Sequence, residues 1–131
     1  MNKQICNILV IKSKSLLEKI RLALNEKFNR ECLYGAPHLA MVYGSANEAF
    51  VVQDASCILE NMFIAATALK VDSCWINQLN DLLSDPKYVK LRKRLGLKED
   101  DRVVGSIILG YRKEGVKIDV KPRKEDFIKY L

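Results

Sequence analysis

The chain has 131 residues, 49% of them hydrophobic and 29% charged, with a formal net charge of +6. This is the make-up of one ordinary globular domain with enough apolar mass for a core, and no apolar run reaches the ~18–20 residues that a membrane span needs. Cys6, Cys32, Cys57 and Cys74 contain no Cys-x-x-Cys pair, and His38 is the single histidine, so the spacing excludes a zinc cluster.

The first element is short and β-branched. Cys6, Asn7, Ile8, Leu9, Val10 and Ile11 read as a buried strand. The apolar patch around it is interrupted by Asn7 and followed by Lys12 and Lys14, with no small-residue cleavage site after it. A signal peptide is therefore not expected, and the expected location is the cytoplasm. Ser13 or Ser15 then caps a helix over 14–27, with Leu16, Leu17, Ile20, Ala23 and Leu24 on one stripe. A loop over 28–35 leads to Pro37 and a second strand over 39–43, which Gly44 and Ser45 end.

Asp54 is the expected N-cap of the longest helix, over 54–69. This helix is apolar on most sides, which predicts a central position packed on more than one face. A third strand follows at 73–76, with Asn77 and Gln78 in a loop after it. Asp85 and Pro86 start a basic helix that runs to Arg94 and ends at Gly96. The strongest strand is 102–109. Beyond Gly115, residues 116–120 alternate like an exposed edge strand. The irregular alternation of strands and helices predicts a three-layer α/β or α+β sandwich without a second domain.

The cysteines read as buried or half-buried thiols, with Cys57 and Cys74 in the core. Basic residues concentrate in 87–94 and 117–129. Such runs serve as solvated faces or as an anion site. The basic segments lack the interleaved aromatics that stack on bases, and no nucleic-acid motif is present, so nucleic acid is not an expected partner. The chain also has no glycine-rich phosphate loop and no catalytic triad.

One long stretch carries a more specific signal. It runs Asp54-Ala55-Ser56-Cys57-Ile58-Leu59-Glu60-Asn61-Met62, continues through Cys74-Trp75-Ile76-Asn77-Gln78-Leu79, and ends on Leu95-Gly96-Leu97, Val103-Val104 and Ile108-Leu109-Gly110-Tyr111. That order resembles the core of the FMN-dependent nitroreductase family. The resemblance implies an α+β fold, a three-layer α/β/α sandwich around a mixed, mainly antiparallel sheet. It implies one domain over 1–131, a homodimer, and a tail over 112–131 exchanged with the partner. The family's opening helices, with their phosphate-binding arginines, have no counterpart before Met1.

The site residues follow from the same resemblance. Asn2 and Gln4 lie in a segment similar to the family's Asn-x-Gln-Pro-Trp, which borders the flavin; Ile5 and Cys6 replace Pro and Trp. Asn29 resembles the amide that meets the pyrimidine edge, where it can donate and accept. Arg30 is the nearby cation, and Cys32 stands where some members carry Lys. Trp75, Ile76, Asn77 and Gln78 resemble the strand end whose backbone lies over the ring. Lys121 and Arg123 resemble the basic pair on the FMN phosphate, a task suited to charge-assisted donors.

The function implied is transfer of hydride from NAD(P)H through FMN to a nitroaromatic, quinone or similar small-molecule acceptor. The cofactor carries the chemistry, so no side chain is expected to be catalytic and no metal is expected. The alternatives are a degenerate relative that binds flavin weakly or not at all and has no turnover, and a basic nucleic-acid module.

Overall fold

Leu39, Ala40, Met41 and Val42 are consecutive and all buried, so β2 (His38–Ser45) is covered on both faces. That requires a layer above and a layer below the sheet. The computed structural model, which describes residues 3–125 and 127–130, supplies both. The chain runs β1 (Cys6–Ile11), α1 (Lys14–Phe28), β2, α2 (Val51–Ala68), β3 (Asp72–Ile76), α3 (Gln78–Ser84), a 3-10 turn (Pro86–Tyr88), α4 (Val89–Arg94) and β4 (Asp101–Gly110). The sheet order is β1-β2-β4-β3, and all three pairings are antiparallel. Among the described residues the sheet is thus purely antiparallel rather than mixed.

Two apolar clusters flank the sheet. One gathers Ile20 and Leu24 of α1, Leu79, Leu82 and Leu83 of α3, and Leu39 and Met41 of β2. The other gathers Ala55 and Leu59 of α2 against Ala40, Val42 and Ile107. The strand period of two splits β2 between them. In β4 a bulge opposite Val42 and Tyr43 leaves Val104 as the extra residue. The bulge reverses the alternation, so Ile107 faces α2 while Val103 joins the other cluster.

The helix ends follow local chemistry. Ser13 Oγ accepts the Leu16 amide at 3.3 Å and caps α1. Asp54 does not cap α2. That helix starts three residues earlier at Val51, with no side-chain cap, and Asp54 lies in its first turn, where its charge complements the helix dipole. The loop expected after β3 is instead α3, beginning at Gln78. The expected basic helix splits at Tyr88 into the 3-10 turn and α4, with Asp85 Oδ1 accepting the Lys87 amide at 2.9 Å. Arg92 ties this layer to β4: its guanidinium donates to the carbonyls of Leu83 at 3.1 Å, Lys98 at 2.5 Å and Glu99 at 3.1 Å, and also to that of Asp101.

Three further expectations are corrected. Residues 116–120 form no strand; the stretch is exposed and irregular, because an alternating segment becomes a strand only where a sheet edge pairs with it. Cys57 and Cys74 are exposed, Cys6 is half-buried, and only Cys32 is buried. Cys57 sits on the outer side of α2, and Cys74 on the edge strand β3, so apolar neighbours in sequence did not bury them. Finally, α2 packs on the sheet through one stripe only, and Ile64 on its other side is 59% exposed. Among the described residues no helix is long and apolar enough to cross a membrane.

Candidate functional site

The end of β3 is the most constructed part of the surface. Trp75 and Ile107 are register partners, so the indole lies on the α2 face of the sheet. There it stacks on Phe63 of α2, with ring centroids 6.0 Å apart and planes 14° apart. The residue beside it must be glycine. A Cβ on Gly105 would come within 2.5 Å of the Trp75 ring and 2.8 Å of Leu59. The indole Nε1–H then donates to Asn77 Oδ1 at 2.6 Å. Asn77 is exposed and Gln78 half-buried at the start of α3.

Ile76 points the other way. Its side chain is 2% exposed within the α1/α3 cluster, so only its backbone belongs to the surface at this strand end. Its carbonyl accepts the hydroxyl of Ser106, a fully buried polar side chain, at 2.8 Å. This bond fixes the end of β3 on β4. A buried hydroxyl without such a partner would be costly.

The remaining candidates lie elsewhere. Gln4 is exposed, with φ of 48°, and lines a shallow cleft of about 450 Å³ with Ile5, Cys6, Asp54, Cys57 and Ile58. Burial, then the Asp54 charge, push the Cys6 thiol there up from its ordinary value. Asn2 lies outside the described residues. Asn29 is the C-cap of α1, with φ of 50°, a left-handed conformation that Asn adopts more readily than most residues. That local demand is itself a reason for Asn at this position. Arg30 follows it, exposed. Lys121 and Arg123 are exposed on the irregular tail. Gln4 lines the shallow cleft, and none of the other described candidates shares it.

Several residues of the surface at β3 were absent from the sequence reading. Phe63 and Gly105 lay inside the expected helix over 54–69 and strand over 102–109 without being singled out, and Leu59 stood only within the stretch that carries the resemblance. A glycine inside the strongest strand was the available signal, since it marks a close approach. A separate cleft of about 700 Å³ was also unforeseen. It lies where β2 and β3 begin and β4 ends, and Tyr34, Pro37, Asp72, Cys74, Tyr111 and Arg112 help to line it. Arg112 pairs with Asp72 through side-chain and then backbone hydrogen bonds, which hold that carboxyl below the usual range. None of the nine described candidates lines this cleft.

Comparisons with known proteins agree on one architecture. The model of the nitroreductase family matches residues 1–111. A nitroreductase with bound FMN from Bacteroides fragilis is 29% identical. It superposes with a TM-score of 0.90, over 100% of this chain and 78% of that one. A nitroreductase with bound FMN from Desulfitobacterium hafniense is 22% identical, with a TM-score of 0.83 over the same shares. An oxidised iodotyrosine deiodinase bound to FMN and 3-iodo-L-tyrosine shares the fold at 15% identity, with a TM-score of 0.73 over 99% of this chain and 78% of that one. No curated protein sequence matches the chain.

Proposed function

The chain belongs to the nitroreductase family, and on that premise we propose that it is a flavin-dependent oxidoreductase. It binds FMN and passes hydride from NAD(P)H to a nitroaromatic, quinone or similar acceptor. The observation that carries this reading is the likeness, along the whole chain, to the FMN-bound protein from Bacteroides fragilis.

The residues at hand suit a flavin in kind. A flavin needs a flat apolar support, amides at its polar edge and cations at its phosphate. Trp75 is 36% exposed and flat, Asn77 and Gln4 are exposed amides, and Lys121 and Arg123 are exposed cations. Bound there, FMN would supply the two-electron chemistry. The chain's own part is to hold it. The end of β3, with Trp75, the Ile76 backbone, Asn77 and Gln78, would support the ring. Asn2, Gln4, Asn29 and Arg30 would complete its polar border. Lys121 and Arg123 would take the phosphate through charge-assisted bonds.

These groups are spread over one chain, so the proposed site forms in a homodimer, with the tail over 112–131 reaching the partner. Cytoplasmic residence suits its four free thiols.

The test is a titration of the protein with FMN, followed by quenching of flavin fluorescence, and NADH and NADPH oxidation with a quinone acceptor. Saturable binding and turnover above that of free FMN are expected. Arg123→Ala should weaken FMN about tenfold or more while leaving riboflavin little changed. Turnover no faster than protein-free flavin, with no quenching, would leave the degenerate-relative reading in its place.

A further inference from the structure

The hydrogen bond between Trp75 and Asn77 has a direction. An indole N–H can only donate, so the atom of Asn77 that meets it at 2.6 Å must be the carboxamide oxygen. The side chain is thereby turned with its NH2 group away from the indole, and among the described residues no partner takes that group. Asn77 is exposed, so its two N–H donors face the surroundings of the protein. The indole cannot easily follow a turning carboxamide. Phe63 stacks along one side of it, and its ring fills the space over Gly105.

We infer that Trp75 is a positioning residue that fixes the Asn77 carboxamide as a donor, so that Asn77 meets an acceptor atom on the edge of a bound flavin. This rests on the proposal that FMN lies at the end of β3. A free asparagine could offer either its oxygen or its NH2, and would recognise donor and acceptor edges alike. One whose oxygen is already engaged discriminates. It favours a carbonyl oxygen or an unprotonated ring nitrogen, both of which an oxidised flavin edge provides, and it disfavours an N–H donor. Trp75, Phe63 and Gly105 together act as the support of that selectivity.

The experiment uses the intact protein in four forms, wild type and three variants, each titrated with two ligands. Trp75 is the only tryptophan, so the protein gives one indole signal in a proton–nitrogen correlation spectrum. Without ligand, that signal should shift in Asn77→Ala and stay close to wild type in Asn77→Asp, which retains the accepting oxygen. FMN and riboflavin affinities are then measured by flavin fluorescence for wild type, Asn77→Ala, Asn77→Asp and Trp75→Phe. Asn77→Ala should weaken both ligands about tenfold, and Asn77→Asp at least as much. Trp75→Phe keeps a stacked ring and frees the carboxamide, so a loss of about threefold is expected. Wild-type affinity in Asn77→Ala beside a loss in Asn77→Asp would reveal charge repulsion alone and overturn the proposal. So would an indole signal unmoved in Asn77→Ala, or Trp75→Phe binding as wild type. Wild-type protein that binds no flavin would remove the functional reading itself, and this inference with it.

Discussion

Gly105 shows how a single missing methyl group organises the surface at β3. The space that its Cβ would occupy is filled by the Trp75 ring, whose nearest atom would stand 2.5 Å away, and by Leu59 at 2.8 Å. Neither neighbour is a free chain end. The indole is stacked on Phe63 and hydrogen-bonded to Asn77, and Leu59 is fully buried. Gly105→Ala should therefore displace the indole rather than be absorbed. Overpacking of this kind costs about 1–3 kcal/mol. A lower urea midpoint together with a changed near-ultraviolet circular dichroism of Trp75 is the expected result. A variant with both unchanged would mean that the ring yields freely, and would weaken the case that it holds anything in place.

At the scale of elements, the layer of α1, α3 and α4 is bound by charge as well as by leucines. Lys27 of α1 donates to Asp85 at the end of α3, and Lys87 donates to Glu26 of α1 at 2.7 Å. The Lys27 hydrogen bond, then the Lys87 amide, hold the Asp85 carboxyl below the usual range; Lys87, by hydrogen bond and by charge, does the same for Glu26. A carboxyl with a lowered value binds its proton more weakly in the folded state. Its contribution is complete above the unfolded value, about 4, and is lost as pH falls through the lowered one. The urea midpoint should stay level from neutral pH down to about 5 and fall below about 4. Asp85→Asn should flatten part of that fall. An equally steep fall in Asp85→Asn would place the acid sensitivity elsewhere. Both pairs are solvent-exposed in part, so salt should reduce the effect.

The same elements show what a sequence discloses. α1 was legible because fifteen residues carry a full helical stripe and a serine cap. α3 was not. Leu79, Leu82 and Leu83 have helical spacing, but seven residues between a strand and Asp85-Pro86 give too little periodicity to tell a helix from a loop. Asp54 misled because an acid in the first turn and an acid at the cap look alike in sequence. Within the site, the family resemblance pointed to Trp75 and Asn77 by position. The bond between them depends on which way two side chains leave the strand end, and no sequence pattern states that.

At the scale of the whole molecule, the α2 side of the sheet is only half covered. α2 spans the middle of that face, while Ile8 and Val10 of the edge strand β1 remain 51% and 53% exposed. Ile64 on the outer side of α2 adds to this surface. So does the tail, where Val116, Ile118, Val120, Phe127, Ile128 and Tyr130 are all more than half exposed. Single exposed apolar residues are common, but this many on one small chain point to a partner. A stable interface of about 1,200–2,000 Å² would need both the α2 face and the tail. The expected outcome is a dimer of about 30 kDa, from the 15.0 kDa chain, in sedimentation at micromolar concentration. Placing charge in the uncovered face should then separate the subunits. Ile64→Glu combined with Val10→Lys leaves the buried clusters untouched, so it should lower the dimer fraction while far-ultraviolet circular dichroism stays unchanged. Because the proposed flavin site draws on the tail of a second copy, FMN affinity should fall with the dimer. A wild-type chain that sediments as a monomer and still binds FMN tightly would show that one chain gathers the site unaided, and would overturn both the dimer and the exchanged tail.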